Sequence, residues 1–439
     1  MKSAHALDGT CEHDTVKIVN VIAVPVRTGF YRDDQAAIRA GATHDGFLYA
    51  GSSLTPGFTA VREPGIAVSV MLVLSDGQVA LGDCAEVQYA GAAGRAPIAT
   101  VDGIQAQVES VVAPRLIGRS VTVFRELAEE IDRIIEDGRL LDVPVRYGVT
   151  QAVLHAVSLA GGVTMAEIIQ REYRTGIDIA AVPLYAQSGD DRYTSVDKMI
   201  LKEVDVLPHG LINQVESKLG PDGGLLKAYI GWIRDRILAL RSRPEYNPRL
   251  HFDTYGTIGI AFGSDLDRIA EYLRELADAA SPFTLRIEHP IDAGSRQAQI
   301  DVYVELRRLL AERAIPVHIV VDEWCNTLED IELFVAAGAA DVIHVKTPDL
   351  GGINNTIKAL IHVRRAGLAA YCGGTCNETD VSARVSAHIA MACGADQVLA
   401  KPGMGVDESV MIVGNEMART VALVAGRLRR TAGQEGAAR

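Results

Sequence analysis

The 439-residue sequence has no long hydrophobic run and no excess of basic residues. Its most apolar stretch, IAVSVMLVL, is too short to cross a bilayer. The opening residues MKSAHALDGTCEHDT lack the apolar centre of a signal peptide. The formal net charge of −13 argues against nucleic acid or an anionic membrane as the main partner. We therefore expect neither partner, and a small anionic substrate would need a local positive site.

Cysteine is also scarce, and no C-x-x-C pair occurs among the six cysteines. Cys372 and Cys376, in CGGTC, are a weak indication of a metal site and are more typical of reduced thiols near a loop. This usage favours a cytoplasmic location. The composition, 48% hydrophobic and 23% charged, is that of a globular protein whose length allows two domains.

From about residue 180, short apolar runs alternate with amphipathic, helix-like segments. Eight runs have the length and β-branched content of strands: VPLYAQ, LINQV, RLHFDTY, FTLRIEHP, VHIVVDEW, DVIHVKTPDL, LAAYCGGT and QVLAKPG. Gly338, Gly367 and Gly394 are placed to end helices before the next strand. The alternation predicts an α/β fold, a TIM-type (β/α) barrel. A doubly wound sheet is the rival, but no G-x-G-x-x-G follows any of these strands.

The first part of the chain reads differently. AVSVMLVLSDGQVALGDC predicts antiparallel strands joined by a turn at Asp76-Gly77, and helical patterns follow, including FRELAEEIDRIIEDG and RYGVTQAVLHAVSLAGG. We predict an N-terminal α+β capping domain over 1–178, with 1–16 a loose extension, then the barrel over 179–428 and a tail over 429–439. The glycine-rich QYAGAAGR is predicted to be a mobile loop that covers the barrel mouth.

Four consecutive predicted strands end in a charged side chain: Asp253, Glu288, Asp322 and Lys346. In a barrel these ends meet at one mouth. Three neighbouring carboxylates repel one another unless a cation lies between them, and oxygen ligands favour Mg²⁺. Lys346 could then remove a proton from the carbon beside a carboxylate whose enediolate the metal stabilises. His209, before the predicted second strand, could be a second acid or base.

For each of these residues taken alone, a role without function stays open. A single lysine at a strand end often reaches solvent along its apolar stem, a single strand-end carboxylate is often solvated, and a single histidine is often a core or surface residue.

These features together resemble the enolase superfamily, a (β/α) barrel with an N-terminal cap. More specifically, AQSGDDRY, DVLPH, YGTIG, DEWCNT, KTPDLGG, AYCGGTCNET and VLAKPGMGVDE resemble the methylaspartate ammonia-lyase family. The resemblance continues into the cap through TGFYRDDQAAI, HDGF, GDCAEVQYAGAAGR and RYGVTQA. It begins at about residue 17 and ends at about residue 428.

The resemblance implies elimination of ammonia from (2S,3S)-3-methylaspartate, a small amino diacid, to give mesaconate. It implies Mg²⁺ as cofactor, Mn²⁺ as a substitute, K⁺ as an activator, a homodimer and a place in glutamate degradation. It implies metal ligands at Asp253, Glu288 and Asp322. Lys346 would be the base for the threo substrate, and His209 the opposing base for the erythro diastereomer. The remaining implied substrate-binding residues are Gln187, Thr375 and Cys376 at the other carboxylate, Gln88 near the amino group and Leu399 near the alkyl group.

Three residues depart from the family pattern. His344 stands where a glutamine would donate to the metal-bound carboxylate, His289 stands in place of a glycine, and Tyr185 stands in place of a phenylalanine near the substrate. These departures concern the shape of the substrate rather than the reaction class.

Other functions fit parts of this pattern. Another enolase-type racemase, cycloisomerase or lyase would use the same metal and base. A Schiff-base aldolase would use Lys346 as a nucleophile. A metal-stabilised structural barrel would need no chemistry.

Overall fold

The computed structural model describes residues 15–437, apart from the side chains of residue 39 and of 430–437. The predicted loose extension, 1–16, and Cys11 therefore lie almost wholly outside the described residues. The segment predicted as a C-terminal tail, 429–439, continues the last helix as far as Ala437.

The first group of elements forms the cap. They are β1 Ile18–Asp33, α1 Gln35–Arg39, β2 Thr43–Asp45, β3 Leu48–Ala50, β4 Arg62–Leu74, β5 Val79–Cys84, α2 Val101–Gln107, a π-helical turn Val108–Val112, α3 Ala113–Leu116, α4 Phe124–Asp132, β6 Ile135–Glu136, β7 Arg139–Leu140, α5 Val143–Gly161 and α6 Met165–Tyr173. Strands β1, β4 and β5 make an antiparallel sheet, with β4 in the centre. The predicted antiparallel pair around Asp76-Gly77 is thus confirmed as β4 and β5.

The second group forms the barrel. The elements are β8 Leu184–Tyr185, α7 Arg192–Leu201, β9 Val206–His209, a π-helical turn Val215–Leu219, α8 Gly224–Leu240, β10 Arg249–Asp253, α9 Thr257–Ala261, α10 Leu266–Ala280, β11 Leu285–Glu288, α11 Arg296–Glu312, β12 Val317–Val321, α12 Leu328–Ala337, β13 Val342–Val345, α13 Ile353–Arg365, β14 Ala369–Cys372, α14 Asp380–Cys393, β15 Gln397–Leu399 and α15 Val406–Ala437. The eight parallel strands β8 to β15 close in sequence order, with β15 paired to β8. The closed ring confirms the predicted α/β barrel with an α+β cap and excludes the open doubly wound sheet.

Local sequence signals explain where several barrel helices begin and end. The Asp265 side chain accepts from two backbone N–H groups at the start of α10, whose apolar residues form one buried stripe. Gly338 and Gly394 end α12 and α14 in the left-handed conformation, as predicted. At the third predicted stop the cap residue is Ala366, and Gly367 follows it with a φ of 77°.

Two elements differ from the sequence prediction. The second barrel strand is β9, which ends at His209, whereas the run LINQV forms a loop that leads into the second π-helical turn. Pro208 inside β9 lacks an N–H donor and made this run look unlike a central strand. The helix predicted across FRELAEEIDRIIEDG ends at Asp132, and the residues after it form the short β6–β7 hairpin. The first correction places His209 at the end of a strand, at the barrel mouth.

The interior of the barrel and its outer shell are separate apolar layers. The side chains packed inside the ring are Tyr185, Val206, Val320, Val342, Tyr371 and Leu399. The larger core joins the helices to the outside of the barrel and to the cap sheet, and α5 is buried along most of its length. Among the described residues no single helix is long and apolar enough to cross a membrane; α5 and α6 reach that test only as a pair bent by 98°.

Candidate active site

The four charged strand ends converge at the predicted mouth of the barrel. Asp253 and Glu288 close β10 and β11 and are direct partners in the parallel register. Asp322 and Lys346 follow directly after β12 and β13. All four residues are buried, with 1–9% of their surface exposed. The structure therefore gathers the predicted metal ligands and base in one enclosed place.

The carboxylates have the charge and the donor atoms of a site for a hard divalent cation. Ligand atoms of Glu288, Asp322 and His344 lie within 4.8 Å of one another. Asp253 lies beside them on the neighbouring strand, with its Oδ2 3.5 Å from Nε2 of His209. Burial and the negative charge of Glu288 raise the pKa of Asp253 to about 6. The carboxylate oxygens of Glu288 and Asp322 fit Mg²⁺. The group also contains a nitrogen of His344, and Asp253 lies beside the group rather than within it.

Lys346 is already engaged with this group. Its Nζ donates to Oδ2 of Asp322 across 2.6 Å and lies 3.9 Å from Oε2 of Glu323. Burial and the Arg95 guanidinium lower the pKa of Lys346, but the carboxylates of Asp322, Glu323 and Asp349 outweigh them and raise it above its ordinary value. Lys346 is therefore protonated in this structure and forms an ion pair with Asp322.

His344 points into the barrel on the same side as Lys346, as strand alternation predicts. Its Nε2 accepts from the backbone N–H of Gly374 at 3.2 Å, and its Nδ1 lies 2.7 Å from Oε1 of Glu288. Because a backbone N–H can only donate, Nε2 is the acceptor and Nδ1–H donates to Glu288. A Cβ on Gly373 would collide with this ring, so glycine is required for the close approach of the loop.

Most of the predicted substrate-binding residues line one small cavity above the carboxylates, with a volume of about 40 Å³. They are Gln88, Gln187, His344, Thr375, Cys376 and Leu399. The backbone N–H of Gln88 donates to Oγ1 of Thr375 at 3.1 Å, and Sγ of Cys376 lies 3.7 Å from Oε1 of Gln88. Nε2 of Gln88 is buried with no hydrogen-bond partner among the described residues, which leaves a donor available to a ligand.

Two of the departures from the family pattern lie beside the cavity rather than in its wall. Tyr185 packs beside Tyr371 and Leu399 inside the ring and stacks on His251, with ring centroids 4.4 Å apart. His289 has a φ of 47°, a conformation that favours glycine, and its Nδ1 lies 3.3 Å from the hydroxyl of Tyr303. The substrate contact of Tyr185 stays a prediction.

The sequence prediction missed Arg95, which the glycine-rich loop delivers to the site. Its Nη2 lies 2.7 Å from Oε2 of Glu323 and 3.4 Å from Oδ1 of Asp322, and its Nε lies 2.8 Å from Oδ2 of Asp349. A Cβ on Gly94 would lie 3.3 Å from Trp324, so the loop lies tightly against the barrel. The loop that was predicted to cover the barrel therefore lies at its mouth. Arg95 is the only basic residue of the stretch QYAGAAGR, and this charge was the sequence feature that could have indicated a contact with the carboxylates.

His251 was also missed, although a signal existed. It precedes Asp253 by two residues on β10, so the alternation of the strand points both side chains into the barrel. Its Nε2 lies 2.8 Å from Oε2 of Glu288. Burial lowers the pKa of His251 to about 4, against the opposing effect of Glu288. The histidine is therefore neutral near pH 7.

Two family models match the chain. The model of the methylaspartate ammonia-lyase N-terminus matches residues 16–174, and that of the methylaspartate ammonia-lyase C-terminus matches residues 176–426. Methylaspartate ammonia-lyase of Clostridium tetanomorphum is 55% identical over 412 residues, which cover 94% of this chain and 100% of that protein. These matches extend across both the cap and the barrel.

Solved structures agree with the sequence comparison. The Mg complex of β-methylaspartase from Clostridium tetanomorphum, 55% identical, has a TM-score of 0.89 over 94% of this chain and 100% of its own. The Citrobacter amalonaticus methylaspartate ammonia-lyase containing (2S,3S)-3-methylaspartic acid is 48% identical, with a TM-score of 0.91 over 93% and 100%. Muconate lactonizing enzyme from Pseudomonas putida is 17% identical, with a TM-score of 0.57 over 85% and 84%. This last likeness concerns the fold alone and agrees with the predicted enolase-like combination of barrel and cap.

Proposed function

The chain belongs to the methylaspartate ammonia-lyase family, and on this premise we propose that it eliminates ammonia from (2S,3S)-3-methylaspartate to give mesaconate. The observation that carries the proposal is the meeting of Lys346 with Asp253, Glu288 and Asp322 at one buried barrel mouth. A lysine beside a group that can hold a divalent cation is suited to removing a weakly acidic proton next to a carboxylate.

We assign the binding of Mg²⁺ to Asp253, Glu288 and Asp322. When bound, the ion supplies positive charge that favours the enediolate form of the substrate carboxylate attached to C3. With Asp322 holding the ion, Lys346 would lose its ion-pair partner, and this would favour the neutral amine that a base requires. Lys346 then accepts the C3 proton. Expulsion of the amine from the adjacent carbon forms the double bond, and ammonia and mesaconate are the products.

The residues around the cavity orient the substrate in this proposal. Gln187, Thr375 and Cys376 hold the second carboxylate, Gln88 faces the amino group, and Leu399 faces the methyl group. His209, on the Asp253 side of the site, serves as the opposing base for the erythro diastereomer. The loop that carries Arg95 covers the mouth and limits the access of water to the substrate.

Further parts of the proposal rest on the family resemblance. They are Mn²⁺ as a substitute cation, K⁺ as an activator, a homodimer, a place in glutamate degradation, a cytoplasmic location, and domain bounds at 1–178, 179–428 and 429–439.

The test is the release of ammonia together with the rise in mesaconate absorbance from (2S,3S)-3-methylaspartate and Mg²⁺. We expect both products in equal amounts, loss of activity in EDTA and recovery on adding Mg²⁺. Full activity in EDTA together with trapping of substrate on Lys346 by borohydride would instead show a Schiff-base enzyme. Turnover of a substrate without release of ammonia would show an enolase-type racemase or cycloisomerase.

A further inference from the structure

Glu288 is held by two imidazoles, one at each carboxylate oxygen. His344 donates to Oε1 from one side, as described above, and Nε2 of His251 lies 2.8 Å from Oε2 on the other. All three side chains are at least nine-tenths buried. A carboxylate with a donor at each oxygen has one preferred orientation.

The direction of the His251 hydrogen bond follows from a chain of groups beneath it. Nη1 of Arg286 lies 2.6 Å from Oε1 of Gln397, and a guanidinium can only donate, so this amide atom is the oxygen. The amide nitrogen of Gln397 therefore faces Nδ1 of His251, 3.0 Å away, and donates to it. With Nδ1 an acceptor, the neutral ring carries its proton on Nε2 and donates to Glu288. Every link has a single allowed direction.

The chain is anchored at its far end and braced at its side. Nη2 of Arg286 lies 2.8 Å from Oδ2 of Asp396, which also accepts from Arg249 at 2.6 Å. The ring of Tyr185 stacks on His251 with an interplanar angle of 9°. The imidazole can therefore neither rotate nor change tautomer without breaking several buried contacts.

We propose that His251, oriented by Gln397 and Arg286, is a positioning residue that holds Glu288 in place for the divalent cation. The inference rests on the assignment of Glu288 as a metal ligand in the proposed function. Without the donor, Oε2 of Glu288 would be buried beside the other two carboxylates with nothing to hold it. Groups that orient a metal ligand in this way typically contribute about 10–100-fold to metal affinity.

The test is the binding of Mn²⁺ to the EDTA-treated full-length protein, followed by electron paramagnetic resonance. His251→Phe keeps a ring for the stack on Tyr185 but removes the donor, and we expect its Kd for Mn²⁺ to rise about 10–100-fold. His251→Gln retains an amide donor and should recover part of the affinity. The matched control is His388→Phe, because His388 is also buried and lies 3.0 Å from a carboxylate oxygen, that of Glu416, on helices outside the barrel. Its Kd should stay within about threefold of the wild type.

An unchanged Mn²⁺ affinity in a folded His251→Phe protein would overturn the proposal. If that variant does not fold, Gln397→Met carries the test, because it removes the donor to Nδ1 and leaves His251 in place. It should weaken Mn²⁺ binding by a smaller factor, and wild-type affinity would overturn the proposal equally. Ammonia release by the wild type separates the two claims: release with normal Mn²⁺ binding in both variants would reject the inference and leave the proposed function standing. A wild type that binds no Mn²⁺ would reject both.

Discussion

Nζ of Lys346 and Oδ2 of Asp322 are 2.6 Å apart, so the proposed base is the ion-pair partner of a proposed metal ligand. The pair offsets one of the three negative charges that are buried at the barrel mouth. It also makes the state of the lysine depend on the metal site. Positive charge at Asp322 competes with Lys346 for the same carboxylate.

The first prediction concerns Lys346 itself. In Lys346→Ala, release of ammonia from threo-3-methylaspartate should fall by at least about 10²–10⁴-fold, the usual contribution of general base catalysis. The affinity for Mn²⁺ should be retained, because removing the cationic side chain leaves Asp322 free for the metal. Lys198→Ala, which removes an exposed lysine paired with Asp407, is the control and should match the wild type. Activity of Lys346→Ala near the wild-type level would show that another group takes the proton.

The second prediction separates the two proposed bases by stereochemistry. His209→Ala should reduce ammonia release from the erythro diastereomer more than from the threo diastereomer. Lys346→Ala should show the opposite preference. The structure places the two side chains on different strands, with Nε2 of His209 beside Asp253 and Nζ of Lys346 beside Asp322. Equal losses on both diastereomers in both variants would reject the two-base assignment.

The sequence was sufficient to predict that Asp253, Glu288, Asp322 and Lys346 meet at one barrel mouth, because charged residues that end consecutive apolar runs need only the barrel topology to be brought together. Arg95 could not be assigned in this way. It lies in a loop of the cap, far from Asp322 along the chain, and only the folded structure shows that this loop packs against the barrel mouth.

Other misses had different causes. His251 shares the inward face of β10 with Asp253, so alternation alone could have indicated it, but a histidine within a strand is commonly a core residue. Strand β9 was misplaced because Pro208 makes its sequence look unlike a strand. Tyr185 was predicted near the substrate; its ring packs beside Tyr371 and Leu399 inside the barrel, and its contact with the substrate stays a prediction.

The third prediction concerns the pH dependence of stability in EDTA. The pKa of Asp253 is raised from 3.8 to about 6, so the folded state binds this proton more tightly, and the contribution to stability falls as pH rises through this range. The pKa of His251 is lowered from 6.5 to about 4, so its contribution rises over nearly the same range. Between about pH 4 and 6, the contributions of Asp253 and His251 to the free energy of unfolding therefore change with pH in opposite directions.

Asp253→Asn should remove only the decrease in stability with rising pH that Asp253 causes, and should leave the increase that His251 causes. The free energy of unfolding of the variant, relative to the wild type, should therefore increase from pH 4.5 to pH 6.5, by on the order of 1–3 kcal/mol. Urea denaturation in EDTA at the two pH values measures this difference. A difference that does not change with pH would show that Asp253 titrates at its ordinary pKa.

The fourth prediction concerns a buried ion pair behind the loop that carries Thr375. Lys401 and Glu378 are fully buried, with Nζ 2.8 Å from Oε1, and Lys401 also donates to the carbonyl of Gly373 at 3.0 Å. Lys401→Met leaves the carboxylate buried without its cation and should lower the free energy of unfolding by about 3–5 kcal/mol. Urea denaturation measures the loss.

The control for this pair is Lys227→Met. Lys227 and Glu275 are also in contact, at 2.7 Å, but both side chains are about half exposed, so the loss should be about 0–1 kcal/mol. A loss for Lys401→Met no larger than for this surface pair would mean that the buried pair contributes nothing beyond packing.

The last prediction concerns His344, where the family resemblance leads us to expect a glutamine. The ring makes one donated and one accepted hydrogen bond, to Glu288 and from Gly374. A glutamine side chain has an amide nitrogen to donate and an oxygen to accept, so it can make both bonds, whereas leucine can make neither. His344→Gln should therefore keep ammonia release within about tenfold of the wild type, although it loses the stack on Tyr371, worth about 0.5–1.5 kcal/mol of stability. His344→Leu should lose both activity and Mn²⁺ affinity. Steady-state rates and Mn²⁺ titrations on the two variants decide the matter: an inactive but folded His344→Gln would mean that the imidazole does something an amide cannot.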